Sequence, residues 1–217
     1  MRKNELTKQS FYWDKEAQAF HRIYSKEKPP LSRLADRVLR KDMFDRFTFT
    51  IRHCRPVRGR SFLDVGCGDG LYTIELAKTG AKKILGIDIS SNMLEIARKQ
   101  ARLRNLKNCS FLEASVEEIS FHERFDVVIG IGLFDYIKDP VPTLGAMKKR
   151  AKSKIILSFP RLWTWRAPVR KARLLFRGCP VYFYSLRRIK QIFQAAGFKK
   201  YRISKIGKLY CVVISIK

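Results

Sequence analysis

Residues 61–88 read SFLDVGCGDGLYTIELAKTGAKKILGID, and this stretch decides the fold. Two short apolar runs, SFLDV and KILGID, enclose a glycine-rich turn and a helical pattern over residues 71–79. A buried strand followed by a glycine turn and a helix begins a βαβ unit. Glycine in such a turn lets the backbone approach a ligand closely at the mouth of a sheet. The same spacing also fits a tight turn that binds nothing.

Strand and helix patterns continue to alternate along the chain. Helical patterns cover residues 91–104, 141–150 and 185–198, and strand patterns cover residues 109–114, 125–132, 154–160, 201–206 and 209–216. Only Gly207 and Lys208 separate the last two runs, and so short a connection joins antiparallel strands. We predict an α/β fold with a Rossmann-like, doubly wound, seven-stranded sheet, mostly parallel with an antiparallel C-terminal strand.

An N-terminal helical cap precedes this sheet. An aromatic helix around Phe11 to Tyr24 is expected to end before Pro29, and a second, amphipathic pattern runs from Leu31 to about Arg55. We expect one domain, 1–217. Its parts are the cap (1–60), a ligand-binding core (61–160), a basic aromatic insertion (161–184) and a closing helix and hairpin (185–217).

The charge of the chain is strongly basic. Its 46 Lys and Arg residues against 19 Asp and Glu residues give a formal charge of +27, and residues 140–217 contain no Asp or Glu. One interpretation is a compositional bias of the whole proteome. The other is an anionic partner, such as nucleic acid, an anionic lipid surface or an acidic small molecule.

Several classes of protein are disfavoured by composition. The start MRKNELTKQS is polar, and no apolar run approaches the roughly 18–20 residues needed to span a bilayer. The five cysteines are scattered, without a C-x-x-C pair, and the His and carboxylate residues do not cluster at metal-ligand spacing. We therefore expect a cytoplasmic location, no disulfide framework and no metal.

Two carboxylates indicate what the glycine turn binds. Asp88 ends the second apolar run, eighteen residues after Gly70, where a carboxylate can accept hydrogen bonds from both hydroxyls of a ribose. Asp64 stands two residues before Gly66, and an acid there can face the α-amino group of an amino acid. S-adenosylmethionine (SAM) has both a ribose and an amino acid end.

The chain resembles the class I SAM-dependent methyltransferases. The resemblance rests on FLDVGCGDGLYTIELAKTGAKKILGIDISSNMLEIARKQ, FLEASVEEI and FDVVIGIGLFDYIKDP, and it covers about residues 60–160. The family's sheet also has seven strands, the last antiparallel. The likeness is greatest to the small-molecule branch that includes ubiquinone-biosynthesis O-methyltransferases and magnesium-protoporphyrin methyltransferases. It implies SAM as cofactor and S-adenosylhomocysteine (SAH) as product.

The resemblance also implies which residues hold the cofactor. It places Asp64, Gly66, Cys67 and Gly68 around the methionine end and Asp88 at the ribose. It places Ile89 and Met93 against the adenine ring and Ser115 and Val116 at its amino edge. Ser115 departs from the family, which usually has an acidic residue there. A hydroxyl can still accept a hydrogen bond from an amino group, though more weakly than a carboxylate. Ser115 as a plain loop residue is the alternative.

The acceptor is less clearly marked. Residues 130–136 read GIGLFDY, without the Asn/Asp-Pro-Pro-Tyr/Phe motif of amino-methylating enzymes or the Pro-Cys and Thr-Cys patterns of cytosine-5 enzymes. Asp135 and Tyr136 are candidates to orient or deprotonate an acceptor, or they only shape its pocket. His21, in the aromatic helix, is a candidate base near neutral pH or a surface histidine.

The insertion at residues 161–184 interleaves aromatic residues with Arg and Lys. It fits a lid that clamps an anionic substrate, a base-stacking surface, a segment lying on an anionic membrane, or aromatic packing with solvated cations. We expect methyl transfer to the oxygen of a small hydrophobic or anionic acceptor, with peripheral membrane contact as a further possibility. The alternatives are an RNA methyltransferase that uses the basic flanks and a non-catalytic SAM-binding module.

Overall fold

The computed structural model describes residues 2–24, 41–120, 122–162, 164, 171, 174–175 and 179–216. The helices are α1 (Arg2–Tyr24), α2 (Lys41–Cys54), α3 (Leu71–Lys78), α4 (Ser91–Leu103), α5 (Pro140–Arg150) and α6 (Leu186–Ala195). The strands are β1 (Ser61–Val65), β2 (Lys83–Asp88), β3 (Cys109–Glu113), β4 (Phe125–Gly130), β5 (Ala151–Pro160), β6 (Lys200–Ile206) and β7 (Leu209–Ser215).

These strands form one sheet in the order β3-β2-β1-β4-β5-β7-β6. Strands β1 to β5 pair in parallel, whereas β7 is antiparallel to both β5 and β6. The two-residue turn at Gly207 and Lys208 reverses the chain as predicted. The mostly parallel, seven-stranded sheet with an antiparallel C-terminal strand is therefore confirmed.

The core lies on both faces of this sheet because successive strand residues point to opposite sides. Phe62 of β1 packs with Tyr72 and Leu76 of α3 on one face. The next residue, Leu63, belongs to the opposite face, with Leu144 of α5. The central strands are buried on both sides and thus read as nearly continuous apolar runs.

Two sequence patterns differ in extent from the structure. The amphipathic pattern that begins at Leu31 is helical over Lys41–Cys54, and its first part lies outside the described residues. β5 begins at Ala151, three residues before the predicted start at residue 154. The sequence pattern missed these residues because Lys152 and Ser153 interrupt the apolar run. Among the described helices, none is both long and apolar enough to cross a membrane.

The order of the strands reverses between β1 and β4. The chain passes from β1 outward to β2 and β3, and then returns to β4 on the other side of β1. In sheets of this kind, ligands bind beyond the carboxyl ends of the strands at such a reversal. The ends of β1, β2, β3 and β4 therefore define where a site is expected.

Candidate functional site

The glycine turn lies at this reversal and is bound to β2. The backbone amides of Gly66 and Cys67 both donate to the carbonyl oxygen of Ile87, at 2.8 and 3.0 Å. Gly66 and Gly68 have positive φ angles of 69° and 55°, which glycine adopts without steric cost. A Cβ added to Gly66 would lie 3.0 Å from Cδ1 of Leu133, in the loop after β4. The turn thus fills the space between the ends of β2 and β4.

Asp88 joins the turn to the start of α4. Its Oδ2 accepts a hydrogen bond from the Gly68 amide at 2.8 Å, and its Oδ1 accepts one from the Ser90 amide at 3.0 Å. Burial raises the pKa of this carboxyl, while the two amides act in the opposite direction. Each carboxylate oxygen has a further lone pair, so Asp88 can still accept hydrogen bonds from ribose hydroxyls.

Asp64 is buried beneath the turn. Its Oδ2 accepts a hydrogen bond from the Thr73 hydroxyl at 2.7 Å. Burial raises its pKa from 3.8 to about 7; the Thr73 hydrogen bond lowers it, and the negative charges of Asp88 and Asp69 raise it further. These three carboxylates lie close enough to repel one another, so a cationic ligand is electrostatically favoured here.

Cys67 packs inside the turn. A Cβ added to Gly86 of β2 would lie 2.9 Å from its sulfur atom, so the thiol occupies space that the glycine leaves open. Burial and the nearby carboxylates, Asp64 foremost, raise the pKa of this thiol well above its usual value. A protonated, buried thiol is a poor nucleophile, and Cys67 therefore contributes shape rather than reactivity.

Helix α1 crosses the site from one side to the other. On the β2 side, the Ser10 hydroxyl donates to the carbonyl oxygen of Ile89 at 2.9 Å, and the Ser90 hydroxyl donates to Oδ1 of Asp14 at 2.6 Å. On the β4 side, Nε2 of Gln9 donates to the carbonyl oxygen of Tyr136 at 2.7 Å. One rigid helix therefore connects the two sides of the strand reversal.

Aromatic packing strengthens the contact on the β4 side. The rings of Trp13 and Tyr136 meet edge to face, with their centroids 5.0 Å apart. Tyr136 is partly buried, and the side chain of Asp135 is almost fully buried. Both candidates for the acceptor side thus lie at the same sheet edge as the glycine turn. The side chain of the third candidate, His21, lies outside the described residues.

The loop after β4 is held by residues at the C-terminal end of the insertion. The hydroxyl of buried Tyr184 lies 3.0 Å from the carbonyl oxygens of both Phe134 and Ile137. The Tyr182 amide donates to the carbonyl oxygen of Asp135 at 2.8 Å. Burial raises the pKa of Tyr184 above its ordinary value, so its hydroxyl stays a hydrogen-bond donor. Tyr184 therefore fixes the backbone on either side of Asp135 and Tyr136.

The residues assigned to adenine fall at the ends of β2 and β3. Ile89 is partly buried and Met93 is fully buried in the first turn of α4. Val116 packs in the sheet core. The hydroxyl of Ser115 donates to Oε2 of Glu117 at 2.6 Å. The Ala114 amide donates to the backbone carbonyl of Asp88, the proposed ribose-binding residue, at 3.0 Å. Ser115 is the next residue in the chain.

The sequence predicted the turn and its carboxylates but missed the groups that hold them in place. Those groups are Gln9, Ser10, Asp14, Thr73, Ser90, Glu117 and Tyr184. One local signal was available, because Ser10 and Asp14 lie one helical turn apart and so on the same face of α1. Among the described residues, no group of His, Cys, Asp and Glu could hold a metal ion.

The strand order, the glycine turn and the carboxylates at the ends of β1 and β2 together define a class I methyltransferase fold. The chain belongs to the methyltransferase domain family, which it matches over residues 56–197.

Two curated sequence relatives match part of the chain. The ubiquinone biosynthesis O-methyltransferase of Albidiferax ferrireducens is 35% identical over 98 residues, which are 44% of this chain and 38% of that protein. Its counterpart from Neisseria meningitidis serogroup C is 34% identical over 98 residues, 44% of this chain and 41% of that protein. The chain thus matches about two fifths of the length of these curated relatives.

The likeness of structure extends over nearly the whole chain. Magnesium protoporphyrin IX methyltransferase from Synechocystis PCC 6803, solved with bound SAH, superimposes with a TM-score of 0.77 at 20% sequence identity. The superposition covers 97% of this chain and 99% of that one. At this level of identity the likeness concerns the fold.

Proposed function

We propose that this protein transfers the methyl group of SAM to a small acceptor. The observation that carries the proposal is the arrangement of Asp64, the glycine turn and Asp88 at the strand reversal. SAM, when bound, supplies an electrophilic methyl group on a positively charged sulfur. The site suits such a ligand because three carboxylates converge on a turn beside which open space remains: a Cβ added to Gly68 would meet nothing within 4 Å.

Each part of the site has a separate task in this proposal. Asp88 accepts hydrogen bonds from the ribose hydroxyls, and Asp64 supplies negative charge toward the amino acid end. Gly66, Cys67 and Gly68 shape the surface beneath that end. Helix α1 covers the site and excludes water, which strengthens every electrostatic interaction inside it. Ile89, Met93, Ser115 and Val116 surround the adenine.

Calorimetric titration with SAM and SAH tests cofactor binding directly. We expect both ligands to bind at micromolar concentrations, with 1:1 stoichiometry. If neither SAM nor SAH binds, the proposed function is overturned. Binding without methyl transfer to any acceptor in a broad panel would favour the alternative of a non-catalytic SAM-binding module.

We further propose that the acceptor is hydrophobic or anionic and is methylated at oxygen. Two sequence relatives are named as O-methyltransferases, and the loop after β4 lacks the motifs that hold a planar nitrogen. Asp135 and Tyr136, and His21 from α1, are the residues proposed to orient the acceptor or to take its proton. An assay with radiolabelled SAM and paired hydroxylated and amino acceptors tests this, since oxygen transfer predicts turnover of the hydroxylated member.

One observation favours a second element of function, docking on an anionic membrane. Among the described residues, seven large apolar side chains are exposed, and four of them lie on α1, on α2, after β5 and on α6, at the sheet edge that carries the site. We call these four the apolar rim; they are Phe11, Phe44, Leu162 and Leu186. The other three are Leu103, at the opposite end of α4, Leu112, near the carboxyl end of β3, and Leu175, in the segment between β5 and α6.

The contacts of each element place the rim at this edge. Phe11 is on α1, which covers the site. Phe44 is in the first turn of α2, where Asp42 pairs with Lys208 of the β6–β7 turn at 3.3 Å. Leu162 follows the end of β5, and Leu186 begins α6 two residues after Tyr184, which bridges to Arg161.

Cations surround the rim. Lys8 and Lys15 flank Phe11 on the exposed face of α1, and Arg187 and Arg188 follow Leu186; all four are exposed. Apolar side chains among cations suit the boundary between acyl chains and anionic headgroups. Leucine side chains do not contribute to nucleic-acid binding, because nucleic acids contact proteins through phosphates and stacked bases. The rim therefore favours a lipid surface over RNA.

Flotation with phosphatidylcholine vesicles, with and without phosphatidylserine, tests this docking. We expect binding only with phosphatidylserine, and the double variant F11S/L186S should bind at least about tenfold more weakly, because two apolar side chains no longer enter the interface. The control is Leu103→Ser, also exposed but at the opposite edge. Equal binding by both variants, or a preference for RNA over vesicles at 150 mM salt, would contradict membrane docking and favour the RNA alternative.

A further inference from the structure

Ser115 does not stand alone at the position where an acidic residue is usual. Its hydroxyl donates to Oε2 of Glu117, and Oε1 of the same carboxylate accepts a hydrogen bond from the hydroxyl of buried Thr143 on α5, at 2.5 Å. Ser115 itself is buried. The three side chains form a chain of hydrogen bonds from the end of β3 to the face of the sheet that α5 covers.

The direction of these hydrogen bonds determines what Ser115 can offer a ligand. A serine hydroxyl has one proton and two lone pairs. The proton is directed at the Glu117 carboxylate, and a hydrogen bond to a carboxylate is short and strong. The Ser115 oxygen is therefore left as an acceptor only, and the negative charge at the far end of the bond increases its electron density.

We propose that Glu117, acting through Ser115, makes this site selective for a purine with a 6-amino group. The inference rests on the proposed binding of SAM. The amino group of adenine donates hydrogen bonds, so it matches an oxygen that can only accept. A 6-oxo group accepts hydrogen bonds, so it would face the lone pairs of Ser115 unless the hydroxyl turned away from Glu117. Glu117 is thus a positioning residue that gives a serine the polarity of the missing carboxylate.

The location of Ser115 supports this role. Its neighbour Ala114 donates to the backbone carbonyl of Asp88, the residue proposed to hold the ribose. Adenine is attached directly to that ribose, so its edge falls within reach of the chain that leaves β3. The side chain of Met93, proposed to pack on the ring, is buried in the first turn of α4, which also follows β2.

The test compares SAH with S-inosylhomocysteine, in which a 6-oxo group replaces the 6-amino group and N1 carries a proton. Calorimetry on the wild-type protein should show SAH binding at least about tenfold more tightly, because the wrong partner leaves a buried acceptor unpaired. In Glu117→Ala the Ser115 proton is free to turn toward the ligand, so the part of the discrimination that comes from position 6 is lost and the ratio of the two dissociation constants should fall well below the wild-type ratio. Glu118→Ala is the matched control, and it should keep the wild-type ratio.

A double-variant cycle distinguishes positioning from a structural role. If Glu117 acts through Ser115, then S115A and S115A/E117A should have the same ratio, since the second change removes nothing further. If Glu117 only holds the loop to α5, Glu117→Ala should weaken both ligands equally and leave the ratio unchanged, which overturns the inference. Equal binding of the two ligands by the wild type also overturns it. Failure of SAH to bind the wild type would instead refute the proposed function.

Discussion

The backbone amide of Gly68 donates to Oδ2 of Asp88 at 2.8 Å, so the carboxylate at the end of β2 holds the turn that follows β1. The same carboxylate accepts a hydrogen bond from the Ser90 amide at the start of α4. Asp88 thus orders the protein before any ligand arrives, and it can meet a ribose in a fixed orientation. Preorganisation of this kind lowers the entropy lost on binding.

Replacing Asp88 by Ala should weaken SAH binding by about 100-fold or more, because hydrogen bonds to a charged group are lost together with the anchor of the turn. Calorimetry measures the effect. Asp126→Ala is the control: Asp126 also accepts a backbone hydrogen bond, from the Ser61 amide at 2.8 Å, but at the opposite end of the strands. Loss of binding in both variants would mean that destabilisation of the fold, and not a ribose contact, explains the result.

Gly66→Ala should lower both stability and SAH affinity. The positive φ costs a residue with a Cβ about 1–2 kcal/mol, and here the new Cβ would also lie 3.0 Å from Cδ1 of Leu133. Gly59→Ala isolates the first effect, because Gly59 has a φ of 77° and nothing within 4 Å of an added Cβ. Thermal unfolding should show destabilisation in both variants, larger in Gly66→Ala because of the added contact with Leu133, and SAH titration should show reduced affinity only in Gly66→Ala.

SAM affinity should rise with pH up to about 7. Below its pKa of about 7, Asp64 is neutral and attracts the cationic ligand less strongly, so a ligand that needs the carboxylate should bind about tenfold more weakly at pH 6 than at pH 8. The titratable groups that interact with it are Asp69, Asp88 and the thiols of Cys54 and Cys67. Titration of the Asp64→Asn variant should show a much flatter profile, and an unchanged profile would assign the pH dependence to another group.

The same carboxyl should affect stability with the opposite sign. Its pKa is 3.8 when it is solvated and about 7 in the folded protein, so the folded state binds more protons between these values. The contribution of Asp64 to the free energy of unfolding is therefore largest at low pH and decreases as the pH rises from about 4 to about 7. Chemical denaturation of the wild type and Asp64→Asn across this range measures the difference.

Tyr184→Phe should reduce methyl transfer while cofactor affinity is preserved. The variant removes the hydroxyl that meets the carbonyl oxygens of Phe134 and Ile137, and two buried acceptors left without it cost about 1–3 kcal/mol of stability. The loop that carries Asp135 and Tyr136 should then move, and the acceptor should bind less well. Equal loss of SAH binding and of turnover would show that Tyr184 supports the whole fold and not the acceptor side in particular.

The sequence was most informative where structure depends on neighbouring residues. The strands β1 and β2, the glycine turn between them and the reversal at Gly207 follow from local periodicity and from the conformations that glycine allows. The hydrogen bonds from Ser10 to Ile89 and from Ser90 to Asp14 join residues that are far apart in the chain. No local pattern specifies such partners, because tertiary packing alone brings α1 over the sheet. For the same reason the contacts of Tyr184 with Phe134 and Ile137, and of Thr143 with Glu117, became visible only in the folded chain.

Helix α1 has a consequence for how the two proposed binding sites affect each other. It is bonded both to Ser90, beside the proposed cofactor carboxylate, and to Tyr136, on the proposed acceptor side. A ligand that shifts one of these contacts must act on the other through the same rigid element, so the two binding equilibria are thermodynamically linked. By reciprocity, the factor by which an acceptor tightens the hold on SAM equals the factor by which SAM tightens the hold on the acceptor. If donor and acceptor bind as proposed, the first helix of the chain therefore couples their binding.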